Sequence, residues 1–321
     1  MMNATVNIRV IETVAAFATV VALCVLLKNK GIVKEEHEAI FARLLTQAAL
    51  PAVIFSQLAT HPVELSQLLM VITIIVAALV SMVASWGLGK TLRINRPQLG
   101  ALMLTSSFGS SALLGYPVIQ YVFPDNPQAL ADAVFMSEVG VGLPIFILGP
   151  LIGMYFGEAM EDGPSRQKAL SDYFRSPIFA AVIAGIVASQ FPELRQFPWL
   201  APFWEALHMI EGSLATLACM VLALQLKFSS LRGTFWALLL GSALIQMVLQ
   251  PWVAHMQAGW YHLSVVQTQV TVLITTMPAA VLGPVFASRY RCAGDTASAL
   301  VMSHILLSMA IIPLSFAILI R

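Results

Sequence analysis

TSSFGSSALLGYPV, Thr105 to Val118, and TTMPAAVLGPV, Thr275 to Val285, lie inside long apolar stretches yet carry glycine, proline and hydroxyl residues midway. Pro278 has no N–H, and a proline ring opposes the carbonyl four residues back. Gly109 and Gly115 relax the backbone of the first stretch, and Pro117 follows them. At membrane depth such breaks are tolerated where the freed backbone is buried in protein or lines a cavity. Two broken spans at matching places in two halves of a chain point to a binding site near the bilayer midplane.

The rest of the 321-residue chain fits that setting. It is 59% hydrophobic and 10% charged, against about 25% charged for a soluble domain. Ten apolar stretches are expected to span, at about 10–28, 38–59, 67–90, 98–123, 129–156, 174–191, 203–226, 234–254, 264–287 and 296–320. Barrel strands are short and alternate in polarity, so a β-barrel is excluded. Cys24, Cys219 and Cys292 show no metal or redox spacing. A net charge of +1 without a basic tail gives no reason to expect nucleic acid. The partner is the lipid bilayer.

Positive charge orders the ten stretches. Lys28, Lys30, Lys34 and Arg43 lie at the first connection; Lys90, Arg93 and Arg96 at the third; Arg166, Lys168 and Arg175 at the fifth. Lys227 and Arg232 follow at the seventh, Arg289 and Arg291 at the ninth. Of the 17 lysines and arginines, all but Arg9, Arg195 and Arg321 therefore fall on one side. The positive-inside rule makes that side cytoplasmic. It predicts a bacterial inner-membrane protein with both termini outside.

The longest polar stretch, GEAMEDGPSRQKALSDYFRS from Gly157 to Ser176, divides five spans from five. An odd number per half gives the halves opposite orientations. The expected fold is therefore all-α, with ten transmembrane helices in two inverted repeats, residues 1–157 and 174–321. Residues 158–173 form a cytoplasmic linker. Helices 4 and 9 are broken and cross. Pro117 and Pro278, and Pro144 and Pro313, stand at similar offsets in the two halves.

If the broken helices cross, two half-helix N-termini face one small volume, where N–H groups and dipoles favour an anion. The candidate binding residues are Ser107, Gly109, Ser110, Ser111, Gly115, Pro117, Thr275, Thr276, Pro278 and Ala279, with Ser106 and Thr105 beside them. The alternative is a kinked helix whose hydroxyls bond their own turn. Glu138, in MSEVGVGLP, costs about 2.5–3.5 kcal/mol if charged at a helix centre, so it faces the protein interior, a proton or a cation. His304, in VMSHILLS, lies at similar depth in the repeat-equivalent span. It is either a second coupling residue or a hydrogen-bonded core histidine. Glu205, His208 and Glu211 share a helix face that suits either a metal or a wet helix end. Gln57, Gln225, Gln246, Gln250, Gln267 and Gln269 fit interhelical hydrogen bonds. Stripes of Gly149, Gly153, Gly157 and of Ala180, Ala184, Ala188 allow close helix packing, within the chain or in a homodimer. No HExxH or GxSxG motif suggests an enzyme, and no cofactor is expected beyond H+ or Na+ as a coupling ion.

ALPAVIFSQLA (49–59), SSALLGYPV (110–118), LQPW (249–252), MPAAVLGPVFASRY (277–290) and SMAIIPL (308–314) occur in an order and spacing that resemble the auxin efflux carrier family. That group includes bacterial malonate and malate carriers. The resemblance implies a secondary transporter of a small organic anion, with its substrate at the crossing of spans 4 and 9. It further implies a scaffold of spans 1, 2, 6 and 7 and a moving domain of spans 3–5 and 8–10. The family usually has asparagine seven residues before the span-4 proline, where this chain has Ser110.

Overall fold

The computed structural model describes residues 2–61, 64–157, 171, 174–195, 197–225 and 235–320. The expected linker and the charges Arg166, Lys168, Lys227, Arg232 and Arg321 lie outside the described residues, as does the side chain of Gln225. Among the described residues the fold is all-helical, without a strand. Seven helices are long and apolar enough to cross a membrane: α1 (Thr5–Asn29), α2 (Glu35–Thr60), α3 (Leu65–Thr91), α6 (Pro127–Phe156), α8 (Pro198–Leu224), α9 (Phe235–Trp260) and α12 (Gly294–Leu319). The chain is an integral membrane protein, and large side chains such as Leu23, Val83, Trp86, Leu240 and Leu314 face outward from its helices.

Three of the ten expected spans do not appear as single long helices. Two are the broken stretches. The first gives α4 (Arg96–Ser107) and α5 (Tyr116–Val122). The second gives α10 (Val265–Thr276) and α11 (Leu282–Arg289). The third is α7 (Pro177–Ala188), whose 12 residues rise only about 18 Å.

The breaks have different causes. Pro278 excludes the helical conformation from the residue before it, and Met277 accordingly turns to ψ 146°. The first break falls at Phe108, which is extended at φ −124°, ψ 120°, and Pro117 does not make it. Pro117 instead sits within the second half, after a widened turn at Ser111–Gly115. The same device recurs at Leu45–Ala49 before Pro51, Glu138–Gly142 before Pro144 and Ile245–Leu249 before Pro251. A turn closed five residues apart gives the proline ring room against the preceding carbonyls and keeps the helix running. The break and the proline are thus separate features in α4–α5 and one feature in α10–α11.

α2 packs on α7 and α8 and reaches α6, and α1 packs on α8, α12 and α5. α3, α4, α6, α9, α10, α11 and α12 pack among themselves. Polar contacts tie the helix ends. At one end Arg9 meets Asp125 at 3.4 Å, Gln67 donates to Asp132 at 2.8 Å and Gln267 donates to Ser66 at 2.9 Å. At the other, Lys28 meets Glu35 at 3.0 Å and the Leu224 carbonyl at 3.2 Å, Arg96 reaches the Tyr155 carbonyl, and Cys292 reaches that of Pro97 at 3.3 Å.

The glycine stripe of α6 is used inside the chain. A Cβ on Gly149 would stand 2.7 Å from the Phe286 ring, and one on Gly153 would stand 2.6 Å from the ring of Tyr290. α11 therefore lies directly on this face. Overpacking of this kind costs about 1–3 kcal/mol, so Gly149→Leu is expected to lower the melting temperature of the detergent-solubilised protein.

Candidate functional site

The two breaks meet. Phe108–Ser110 and Pro278–Ala280 run antiparallel as a single bridge centred on Gly109 and Ala279. Ser110 N donates to the Pro278 carbonyl and Ala280 N to that of Phe108, both at 2.7 Å. Backbone groups freed by one broken helix are thus satisfied by the other. Gly109 fits because a Cβ there would lie 3.1 Å from Gln246 Nε2 and 3.3 Å from the Met277 carbonyl. Gly115 lies against Ile274, whose Cδ1 would be 2.7 Å from an added Cβ. The offset between bridge partners Gly109 and Ala279 is within one residue of that between Pro144 and Pro313.

The carbonyls that end α4 and α10 are also satisfied. Gln250 Nε2 donates to the Ser107 carbonyl at 3.1 Å, and Gln246 Nε2 to the Met277 carbonyl at 3.2 Å. These glutamines occupy the widened turn of α9 and the residue after it. The sequence marks them as polar residues in an apolar helix; their partners depend on the tertiary crossing.

A cavity of about 360 Å³ opens beside the bridge. Gly109, Ser110 and Ser111 come from the first break, and Ala280, Val281 and Leu282 from the second. α2 contributes Ala42, Leu45, Thr46 and Leu50; α6 contributes Ser137, Glu138, Val141, Gly142, Ile145 and Phe146. Ala112, Leu113, Ser176, Ile178 and Val221 complete the wall. Three of the four widened turns therefore supply cavity residues. Ser176, which precedes α7, and Val221, three residues from Leu224, place part of the lining toward the end of the bundle where Lys28 meets Leu224, and Ser110, 6% exposed, lies at the bridge. Val14, Phe17, Leu114, Val118, Leu222, Ile305 and Ile312 line a narrow gap between α1, α5, α8 and α12, and Glu12, Thr13, Phe17, Tyr121 and Cys219 line a second cavity of about 380 Å³ beside it.

The expected site residues divide by position. Ser110 and Ser111 line the cavity, and Ser110 begins the second half without its side chain capping it. The hydroxyls of Ser106, Thr275 and Thr276 bond back to their own helices, to Leu102, Thr271 and Val272 carbonyls. Ser107, Gly115, Pro117, Pro278 and Ala279 shape the crossing from behind the cavity wall. Glu138 is 5% exposed on the cavity wall, and Tyr116 Oη donates to its Oε1 at 2.6 Å. Sequence reading missed Tyr116. Its signal is general: a buried tyrosine hydroxyl takes a polar partner, and Glu138 is such a partner within an apolar span.

His304 is fully buried, with Nε2 2.8 Å from Ser242 Oγ, and does not line the cavity. Glu211 is buried, pairs with His208 at 3.1 Å and accepts from Gln57 at 3.4 Å. Among the described residues no cluster of three His, Cys, Asp or Glu side chains could hold a metal. Gln257 donates to the Thr73 carbonyl at 3.4 Å, so this polar side chain in an apolar helix also ties two helices.

A family described as membrane transport proteins matches residues 9–316, nearly the whole chain. The chain belongs to the auxin efflux carrier family. This carrier is similar to an uncharacterized transporter of Methanocaldococcus jannaschii, 26% identical over 267 residues, which cover 81% of this chain and 82% of the relative. It is similar as well to an uncharacterized transporter of Methanothermobacter thermautotrophicus, 26% identical over 312 residues, covering 94% and 96%. The match takes in both breaks, the cavity and Glu138.

Proposed function

We propose that the protein is a secondary transporter of a small organic anion, bound in the cavity beside the bridge and carried by alternating access. The observation that carries this reading is the cavity itself. It is built from both broken helices, extends toward the end of the molecule where Ser176 and Val221 lie, and carries Glu138 on its wall. The bound group would face the N-terminal ends of the second half-helices, at Ser111 and Leu282, where N–H dipoles favour negative charge.

Ten spans in two inverted repeats account for the arrangement, with α4–α5 and α10–α11 as spans 4 and 9 and α7 as the short sixth. The polar contacts at the helix ends join connections that the charge alternation puts on the same side. On that reading the cavity opens to the cytoplasm of a bacterial inner membrane, and both termini lie outside. The helix set α1, α2, α7 and α8 serves as scaffold, and the remaining helices move.

The cavity walls favour a single carboxylate on an apolar body. Leu45, Leu50, Leu113, Val141, Ile145 and Val281 supply an apolar surface, and among the described residues the lining includes no Lys, Arg or His. A second carboxylate would meet Glu138 without a counter-charge. Inward movement of one negative charge against 100 mV costs about 2.3 kcal/mol, so accumulation by uptake calls for a co-transported H+ or Na+, whereas an uncoupled efflux carrier would need none. Glu138 is the coupling residue in this proposal; His304, held by Ser242, has a structural role. Ala180 and Ala184 are exposed on α7 and give a homodimer its closest packing face.

The test is uptake by proteoliposomes of 14C-labelled 4-methyl-2-oxopentanoate and, separately, malonate. Ser110→Ala is expected to raise KM because its hydroxyl lies on the cavity wall. Pro278→Ala is expected to lower kcat by letting α10 continue through Met277. Normal kinetics in both variants would remove the substrate from the crossing.

A further inference from the structure

We infer that Ser107, Gln246 and Gln250 form a site for an alkali cation on the back of the crossing, away from the carboxylate cavity. Three buried oxygens of residues at the crossing have no partner among the described residues: Ser107 Oγ, Gln246 Oε1 and Gln250 Oε1. Ser107 and Gln246 are fully buried and Gln250 is 2% exposed. The two amides are fixed in place because their nitrogens donate to the Ser107 and Met277 carbonyls. Their oxygens are therefore held at the same two chain ends. The neighbouring hydroxyls of Ser106, Thr275 and Thr276 each bond a carbonyl of their own helix, whereas that of Ser107 does not. An unpaired buried oxygen is costly, and here three occur where two helices stop.

The electrostatics select the ligand. α4 and α10, each of 12 residues, end at Ser107 and Thr276. A helix C-terminus carries about half a negative charge, so the two together match about one positive charge. A divalent ion would leave net charge uncompensated in the low-dielectric interior, at large desolvation cost. Hydroxyl, amide and backbone oxygens are hard ligands, suited to an alkali cation and not to a soft metal. Broken helices in transporters place cations at half-helix C-termini and anions at N-termini. The crossing offers both: N-terminal ends toward the cavity, and C-terminal ends toward Gln246 and Gln250. A cation bound here would offset the charge of a carboxylate bound in front.

This deepens the coupling part of the proposed function, and its test contains no carboxylate, so the two stand or fall separately. The full chain in detergent is titrated with NaCl against choline chloride at constant ionic strength. Melting temperature and 22Na+ binding are read together. Na+ is expected to bind and to raise the melting temperature. Ser107→Ala is expected to weaken Na+ binding about ten-fold, or about 1.4 kcal/mol, without lowering the melting temperature in choline, since the hydroxyl has no protein partner. Gln250→Ala is expected to abolish the Na+ effect. Absence of Na+-specific binding in the wild type, or unaltered Na+ affinity in Ser107→Ala, would overturn the inference.

Discussion

Glu138→Gln is expected to reduce uptake at least about ten-fold, or 1.4 kcal/mol, and to remove its dependence on pH, with the fold intact. Glutamine keeps the size of the side chain and an acceptor oxygen for Tyr116 Oη, now 2.6 Å from Glu138 Oε1. Only the ionisable group is lost. In the wild type that carboxyl shares a largely apolar cavity with the proposed substrate. Two negative charges there repel in a poorly screened medium, so each favours a proton or cation on the other. That mutual preference is a coupling free energy and is reciprocal. Substrate should increase cation affinity at Glu138 as much as the cation increases substrate affinity. Uptake at two pH values, with and without sodium, measures the loss, and an unchanged melting temperature separates it from misfolding. Full uptake with unchanged pH dependence would show that Glu138 does not couple.

Gly109→Val is expected to abolish transport and to lower stability by about 2–6 kcal/mol, the cost of leaving two buried N–H groups without acceptors. The β-carbon alone approaches Gln246 Nε2 and the Met277 carbonyl within 3.1 and 3.3 Å. Two further methyl groups leave the antiparallel segments no room at their present spacing. Separation would orphan Ser110 N and Ala280 N, whose acceptors are the carbonyls of Pro278 and Phe108. Water is scarce at this depth, so no substitute acceptor is at hand. Gly109→Ala should retain partial function because a shift of a few tenths of an ångström accommodates it. Yield, melting temperature and uptake across Gly, Ala and Val form the test, and equal values would contradict the close approach.

Much of this arrangement was legible in the chain. Long apolar runs forecast ten spans, of which seven stand as single helices long enough to cross a membrane, and Pro278 marked one break correctly because proline acts on the residue before it. Pro117 does not mark the other break, for a physical reason. A proline can be absorbed by a widened turn, and the chain uses that solution at Pro51, Pro117, Pro144 and Pro251. The first break was marked by Gly109, next to extended Phe108, whose carbonyl is held by the bridge to Ala280. Glu138 was visible as a charge in an apolar span, but its partner Tyr116 came from another helix. The hydroxyls were readable only as a group. Which of them turn into the cavity and which bond their own helix depends on where each helix stops.

The central claim is that the cavity beside the bridge carries an organic anion across the bilayer. Counterflow tests it most directly: proteoliposomes loaded with unlabelled 4-methyl-2-oxopentanoate are diluted into a trace of the 14C-labelled acid, with malonate in a parallel set. Transient accumulation of label in the wild type, lost in Gly109→Val, is the predicted result. Saturable binding of either acid to the purified protein without counterflow would contradict it and make the cavity the site of a receptor.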